Sequence, residues 1–145
     1  MILFLLLPLI LLTIAAVNFF QIRTPRATSE LQDSVGVVVP MRNEAENVSE
    51  LVVTLGALDY PRYEVIFIDD NSTDGTGDLL RQAIASRPSM KVINAEQLPD
   101  GWMGKPWALS QGLTHATRDY IVTIDADVRL EPHALSAMDA VLQRT

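Results

Sequence analysis

Four short β-branched or aromatic runs recur along the chain: VGVVV at 35–39, EVIFI at 64–68, KVIN at 91–94 and YIVTI at 120–124. They start at residues 35, 64, 91 and 120, that is 29, 27 and 29 residues apart, close to the length of one strand–helix–strand unit. Stretches with helical apolar spacing separate and follow them. One runs through Val48, Leu51, Val52 and Leu55, and a second through Leu79, Leu80, Ile84 and Ala85. A third covers Trp107 to Ala116, and the last follows Pro132 through Leu135, Met138, Val141 and Leu142. Strands alternating with helices predict an α/β domain whose mostly parallel sheet is flanked by helices on both faces. The four connecting loops differ in sequence, so the even spacing is no internal repeat.

The first 20 residues, MILFLLLPLILLTIAAVNFF, carry no charged side chain. At about 1.5 Å per residue such a helix reaches roughly 30 Å, the thickness of a bilayer's hydrocarbon core. No Lys or Arg precedes the run, and Phe19-Phe20-Gln21 makes a poor small-residue cleavage site, so a retained anchor over 2–20 is expected rather than a cleaved signal. Pro8 lies inside it, which membrane helices tolerate. Arg23 and Arg26 follow closely, and the positive-inside rule then predicts a single-pass protein of the cell membrane with its C-terminal domain in the cytoplasm. Residues 21–34, polar and containing Pro25, read as a linker, and 35–145 as the folded domain.

Net charge bounds the partners. Lys and Arg total 11 against 18 Asp and Glu, a formal −7, which argues against a nucleic-acid backbone as ligand. The absence of cysteine excludes a disulfide framework, a thiolate metal site and a cysteine nucleophile.

In open α/β sheets ligands collect at the carboxyl ends of the strands, so the residues following each run are the candidate site. The first run leads into Pro40-Met41-Arg42-Asn43-Glu44, and the second into Asp69-Asp70-Asn71-Ser72-Thr73-Asp74-Gly75. The third opens a loop holding Gly101-Trp102-Met103-Gly104-Lys105, and the fourth ends in Asp125-Ala126-Asp127. Carboxylates two apart along an extended chain point to one side, so Asp125 and Asp127 can both face a divalent cation completed by phosphate oxygens and water. Asn71 to Asp74 suit an Asx turn and a helix cap, which leaves two adjacent carboxylates unexplained, and Asp70 above Asp69 is the candidate for a base or ribose contact. Lys105 precedes Pro106 at the mouth of a helix, where a cation is unfavourable unless an anion lies between it and the helix end. Glu44 is expected to begin the first helix of the domain, where a carboxylate suits the dipole without any function. Trp102 and Trp107 suit a core, an interface or contact with an apolar acceptor. His115 and His133 read as ordinary surface residues.

Taken in order, VVVPMRNEAENV (37–48), VIFIDDNSTDGT (65–76), GWMGKPWALSQGL (101–113) and YIVTIDADVRLEP (120–132) resemble the family 2 glycosyltransferases, over residues 35 to 145. The resemblance implies a GT-A fold, a Rossmann-like architecture for transfer from nucleotide-diphospho-sugars. It implies that Asp70 contacts the nucleotide base, that Pro40, Glu44 and Asp69 line the nucleoside, and that Lys105 touches the diphosphate. Asp125 would approach the ribose or metal, and Asp127 would bind Mg²⁺ or Mn²⁺. LPDGWMGKPWAL (98–109) further resembles members associated with hopanoid and carotenoid lipids, which implies a lipid or polyisoprenoid-type acceptor. The family implies an inverting transfer, with a UDP-sugar the commonest donor. Its catalytic carboxylate base is expected beyond Thr145, so no catalytic residue is assigned within the chain. The alternative is a non-catalytic fragment that binds a nucleoside diphosphate. A sugar nucleotidyltransferase would need a glycine-rich basic loop where PMRNEAEN stands, and a receiver domain would need its paired aspartates after the first strand.

Overall fold

Each of the four runs forms a strand: β1 (Val35–Met41), β2 (Tyr63–Asp69), β3 (Met90–Asn94) and β4 (Tyr120–Thr123). In this computed structural model, which describes residues 2–21 and 33–143, the helices are α1 (Ile2–Gln21), α2 (Val48–Gly56), α3 (Thr76–Ala83), α4 (Gly104–His115) and α5 (Ala134–Leu142). The strands make one parallel sheet in the order β3-β2-β1-β4. The chain adds strands in one direction up to β3, then returns across β2 and β1 to place β4 on the far side of β1. That reversal is the topological switch point of a doubly wound sheet, beside which ligand crevices open.

Strand alternation divides the core in two. Val35, Val37, Val39 and Met41 of β1, with Val65 and Phe67 of β2, join Leu51, Val52 and Leu55 of α2, Leu80 of α3 and Leu135 of α5. Val38, Ile66 and Ile68 face the opposite way and pack with Ala95 and with Ala108 of α4. α4 sits unusually close to the sheet because residue 112 is glycine. A Cβ there would overlap Val38 Cγ1 and press within 3.2 Å of Ile68 Cγ1. Among the described residues β4 pairs with β1 alone and remains largely exposed, Tyr120 and Ile121 at 39% and 37%, so the cover expected on both faces thins at this edge.

β1 carries a proline at position 40, a residue that removes a ladder donor and is normally excluded from central strands. The register explains it. β1 pairs with β2 along 35–41 but with β4 only along 35–38. Ile124 N donates to Val38 O at 3.1 Å, so by alternation the missing N–H of Pro40 faces the side where β4 has already ended. The two strands part there, and the gap is the mouth of a cleft.

The helix expected over 2–20 is present as α1, and its side chains from 8 to 19 are exposed. Among the described residues no helix is long and apolar enough to cross a membrane. Of the expected linker, residues 22–32, including Arg23 and Arg26, lie outside the described residues.

Candidate functional site

The carboxyl ends of β1 and β4 and the first turn of α4 enclose a cleft of about 660 Å³. It is lined by Pro40, Met41, Arg42, Glu44, Glu46 and Asn47 from the β1–α2 connection, and by Asp70 following β2. Gly104, Lys105 and Ala108 of α4 close one wall, and Asp125, Ala126 and Asp127 the other. Five carboxylates face two cations in this space, a balance that favours a cationic component in whatever binds.

The acidic turn after β4 does not owe its geometry to an extended strand. β4 ends at Thr123, and Val128 N donates to Asp125 O at 3.1 Å, closing a turn. Both carboxylates reach the cleft as expected, but the turn rather than strand alternation brings them there. Lys105 Nζ lies 2.7 Å from Asp125 Oδ1, both side chains more than half exposed. The anion required beside this lysine at the helix end is therefore supplied within the protein by Asp125.

Asp70 is 7% exposed. Its carboxylate lies 3.6 Å from the Arg42 guanidinium and faces the first residue of α4. A Cβ on Gly104 would approach Asp70 Oδ2 at 3.0 Å, so glycine allows the carboxylate and the positive end of α4 to draw together. Asp69, by contrast, lies outside the cleft. Adjacent strand residues point to opposite faces, and its Oδ1 instead accepts from Ser72 N at 3.1 Å. Its other oxygen packs so tightly on α3 that a Cβ on Gly77 would collide with it. The adjacent aspartates thus avoid repulsion by facing apart.

The expected turn is present at Asp74, whose Oδ1 accepts from Thr76 N, the first residue of α3, at 3.0 Å. The N-cap of α3 is Gly75, at φ 90°, with no side-chain cap. The polar loop is also laced to the β1–α2 connection. Asn43 N donates to Ser72 Oγ at 3.0 Å, Thr73 N to Asn43 Oδ1 at 2.8 Å, and Ala45 N to Asp74 Oδ2 at 3.0 Å. Asn43 and Asn71 both take φ 54°, a left-handed geometry that asparagine adopts more readily than most residues. The Thr76 hydroxyl and the backbone N–H groups of Ala45 and Thr76 hold the Asp74 carboxyl below its ordinary pKa.

Glu44 sits before α2 rather than beginning it, since α2 starts at Val48. Its carboxylate accepts from Asn47 Nδ2 at 2.6 Å and its backbone N–H donates to Thr76 Oγ1 at 2.9 Å. Asn47 also accepts from Arg129 Nη2 at 2.8 Å. Arg42 lies in the stretch expected to form the site but was given no role there, and Arg129 escaped the sequence reading, because neither has a spacing signature of its own. Trp102 and Trp107 form an edge-to-face pair with centroids 5.2 Å apart, Trp107 Nε1 donating to Glu96 O at 3.1 Å, while Trp102 remains half exposed beside the cleft-lining start of α4. His115 and His133 lie away from the cleft, His133 Nδ1 3.3 Å from Asp59 Oδ2 at the surface.

Among the described residues no three His, Asp or Glu side chains group into a self-sufficient metal site. The two cleft carboxylates of the acidic turn fit a different arrangement, that of a hard divalent ion whose remaining positions are filled by phosphate and water.

A four-stranded parallel sheet flanked by helices, with a polar, acidic cleft at its switch point, gives an α/β protein of the GT-A fold. The family model for glycosyl transferase family 2 matches residues 36–145, and the chain belongs to that family. It is 35% identical over 104 residues to an undecaprenyl-phosphate 4-deoxy-4-formamido-L-arabinose transferase of Edwardsiella ictaluri, covering 70% of this chain and 31% of that protein. In structure it is similar to the mannosyltransferase PcManGT of Pyrobaculum calidifontis, solved with GDP-Man and Mn²⁺. That likeness has a TM-score of 0.74 at 27% identity and covers 92% of this chain and 39% of the other. It is also similar to Staphylococcus aureus TarS 1–349, solved with UDP-GlcNAc, with a TM-score of 0.65 at 26% identity over 77% of this chain and 31% of that one. The chain spans between 20% and 32% of the length of the curated relatives it matches.

Proposed function

We propose that this chain forms the donor-binding part of a membrane-anchored glycosyltransferase, one that moves a sugar from a nucleoside diphosphate to a lipid or polyisoprenoid-type acceptor with inversion. The observation that carries the reading is the meeting of Asp70, Lys105, Asp125 and Asp127 in one cleft at the switch point. Asp70, buried and facing the start of α4, accepts hydrogen bonds from the base, and Pro40 and Glu44 flank the nucleoside. Lys105 holds the diphosphate, helped by the positive end of α4. Asp125 and Asp127 would hold Mg²⁺ or Mn²⁺, which when bound supplies charge neutralisation for the departing diphosphate. Lys105 adds the same stabilisation from the opposite wall.

The solved relative with GDP-Man and Mn²⁺ and the one with UDP-GlcNAc support a nucleotide-sugar donor and a divalent ion. The undecaprenyl-phosphate transferase supports a lipid-linked acceptor. The apolar composition of residues 2–20, with Arg23 and Arg26 following, supports an anchor that leaves residues 35–145 on the cytoplasmic face. Calorimetric titration of the full chain in detergent with UDP and GDP, with and without Mn²⁺, tests the reading. Metal-assisted binding of one of them is expected, whereas a folded sample that binds neither overturns it.

A further inference from the structure

The acidic turn after β4 leaves the sheet before its two carboxylates are reached. The last ladder bond, Ile124 N to Val38 O, precedes Asp125. Beyond it, among the described residues, Arg129 is the one side chain that hydrogen-bonds the backbone of 125–127. Its Nη1 donates to Ala126 O at 2.8 Å and to Val128 O at 3.2 Å. Nη2 donates to Asn47 Oδ1 at 2.8 Å. Nε, buried and lacking a hydrogen bond, lies 3.1 Å from Glu50 Oε2 with its N–H out of line, a contact of charge alone.

Asn47 extends the chain of contacts. Its amide can satisfy both neighbours in one orientation only, oxygen toward the guanidinium and Nδ2 toward Glu44, to which it donates at 2.6 Å. Glu44, Asn47 and Ala126 all line the cleft. The guanidinium therefore ties the turn that carries Asp125 and Asp127, through Asn47, to the Glu44 carboxylate on the β1–α2 connection. A lysine could not do this, because it has a single donor centre where the planar fork of arginine reaches two acceptors at once.

We infer that Arg129 is a positioning residue: through Ala126 O and Asn47 it fixes the Asp125–Asp127 turn for the divalent ion without touching ion or donor. The inference rests on the donor-site reading above. Outer partners that orient metal ligands commonly change metal affinity by about 10–100-fold when lost. The test uses the full chain and reads Mn²⁺ binding by the electron paramagnetic resonance of the free ion, in the presence of UDP or GDP. Metal-free nucleoside affinity and the thermal midpoint are measured beside it. Arg129→Ala and Arg129→Lys are each expected to weaken Mn²⁺ on the order of tenfold while nucleoside affinity stays near that of the unmodified chain.

A purely structural arginine would lower both affinities together as the folded fraction falls, and that result, like unchanged Mn²⁺ affinity, overturns the inference. Asn47→Ala removes the guanidinium's side-chain acceptor and leaves the 125–129 sequence intact. It is expected to weaken Mn²⁺ in the same direction, and it decides the matter if Arg129→Ala does not fold, unchanged Mn²⁺ affinity again overturning the inference. An unmodified chain without Mn²⁺-assisted binding fails at the donor site itself, a different outcome from a normal parent with indifferent variants.

Discussion

Lys105 and Asp125 approach to 2.7 Å across the cleft, a pair joining the first turn of α4 to the acidic turn after β4. Both side chains are more than half exposed, and exposed ion pairs contribute little to stability. The pair satisfies each charge while leaving it exchangeable. On the proposed reading a diphosphate and its cation would take both partners, Lys105 turning to the phosphate and Asp125 to the metal.

Lys105→Ala is therefore expected to weaken UDP or GDP by about 1–3 kcal/mol, the size of a charge-assisted contact, and the corresponding nucleoside hardly at all. Calorimetry with both ligands checks it. Equal losses would remove the lysine from the diphosphate.

Asp127→Ala should abolish the Mn²⁺ dependence of nucleotide binding while leaving the thermal midpoint nearly unchanged, because the side chain is exposed and surface substitutions are usually mild. Asp69→Ala should do the reverse. It removes the acceptor of Ser72 N and lowers stability by about 1 kcal/mol without altering nucleoside affinity. A melting curve and a binding isotherm for each variant separate the two aspartates.

Gly112→Ala places a methyl against Val38 and Ile68. Both neighbours are fully buried, so the helix must lift from the sheet, at a cost of about 1–3 kcal/mol. A lower urea midpoint is expected; a variant as stable as the parent would show that α4 has room to move.

The amino end of the sheet gives a pH dependence. Burial pushes the Glu64 carboxyl up, but the Thr117 N–H and the charges of Lys91 and Arg118 together outweigh it and hold the pKa below its ordinary value. A carboxyl whose folded pKa is depressed contributes stability above its unfolded pKa and loses it as pH falls through the folded one. Stability should thus decline on acidification below about pH 4.5, where unfolded glutamate begins to take up protons. Asp74 and Asp119, also held low by hydrogen bonds, decline in the same direction. Glu64→Gln isolates its share: urea midpoints at neutral and acid pH should lie closer together in the variant than in the parent.

β1 and β2 were legible because burial on both faces demands continuous β-branched runs, and all four strands, the exposed β4 included, fall within two residues of VGVVV, EVIFI, KVIN and YIVTI. Asp70, Lys105, Asp125 and Asp127 were legible because a parallel sheet exposes whatever follows its strands. Asp69 was misplaced for a physical reason the sequence does contain: neighbours on a strand face opposite ways, and one of two adjacent aspartates had to turn from the cleft.

Local sequence alone determined the alternation of strand and helix, since periodicity and turn residues act over a few positions. Only the tertiary structure decided what depends on meetings between distant segments. The order β3-β2-β1-β4 opens the cleft beside Pro40, and that order is set by helix packing on either face of the sheet. Lys105 finds Asp125 across 20 residues, and Arg129 reaches Asn47 across 82. No short-range pattern encodes such pairs, because each side chain is placed by the packing of its own element.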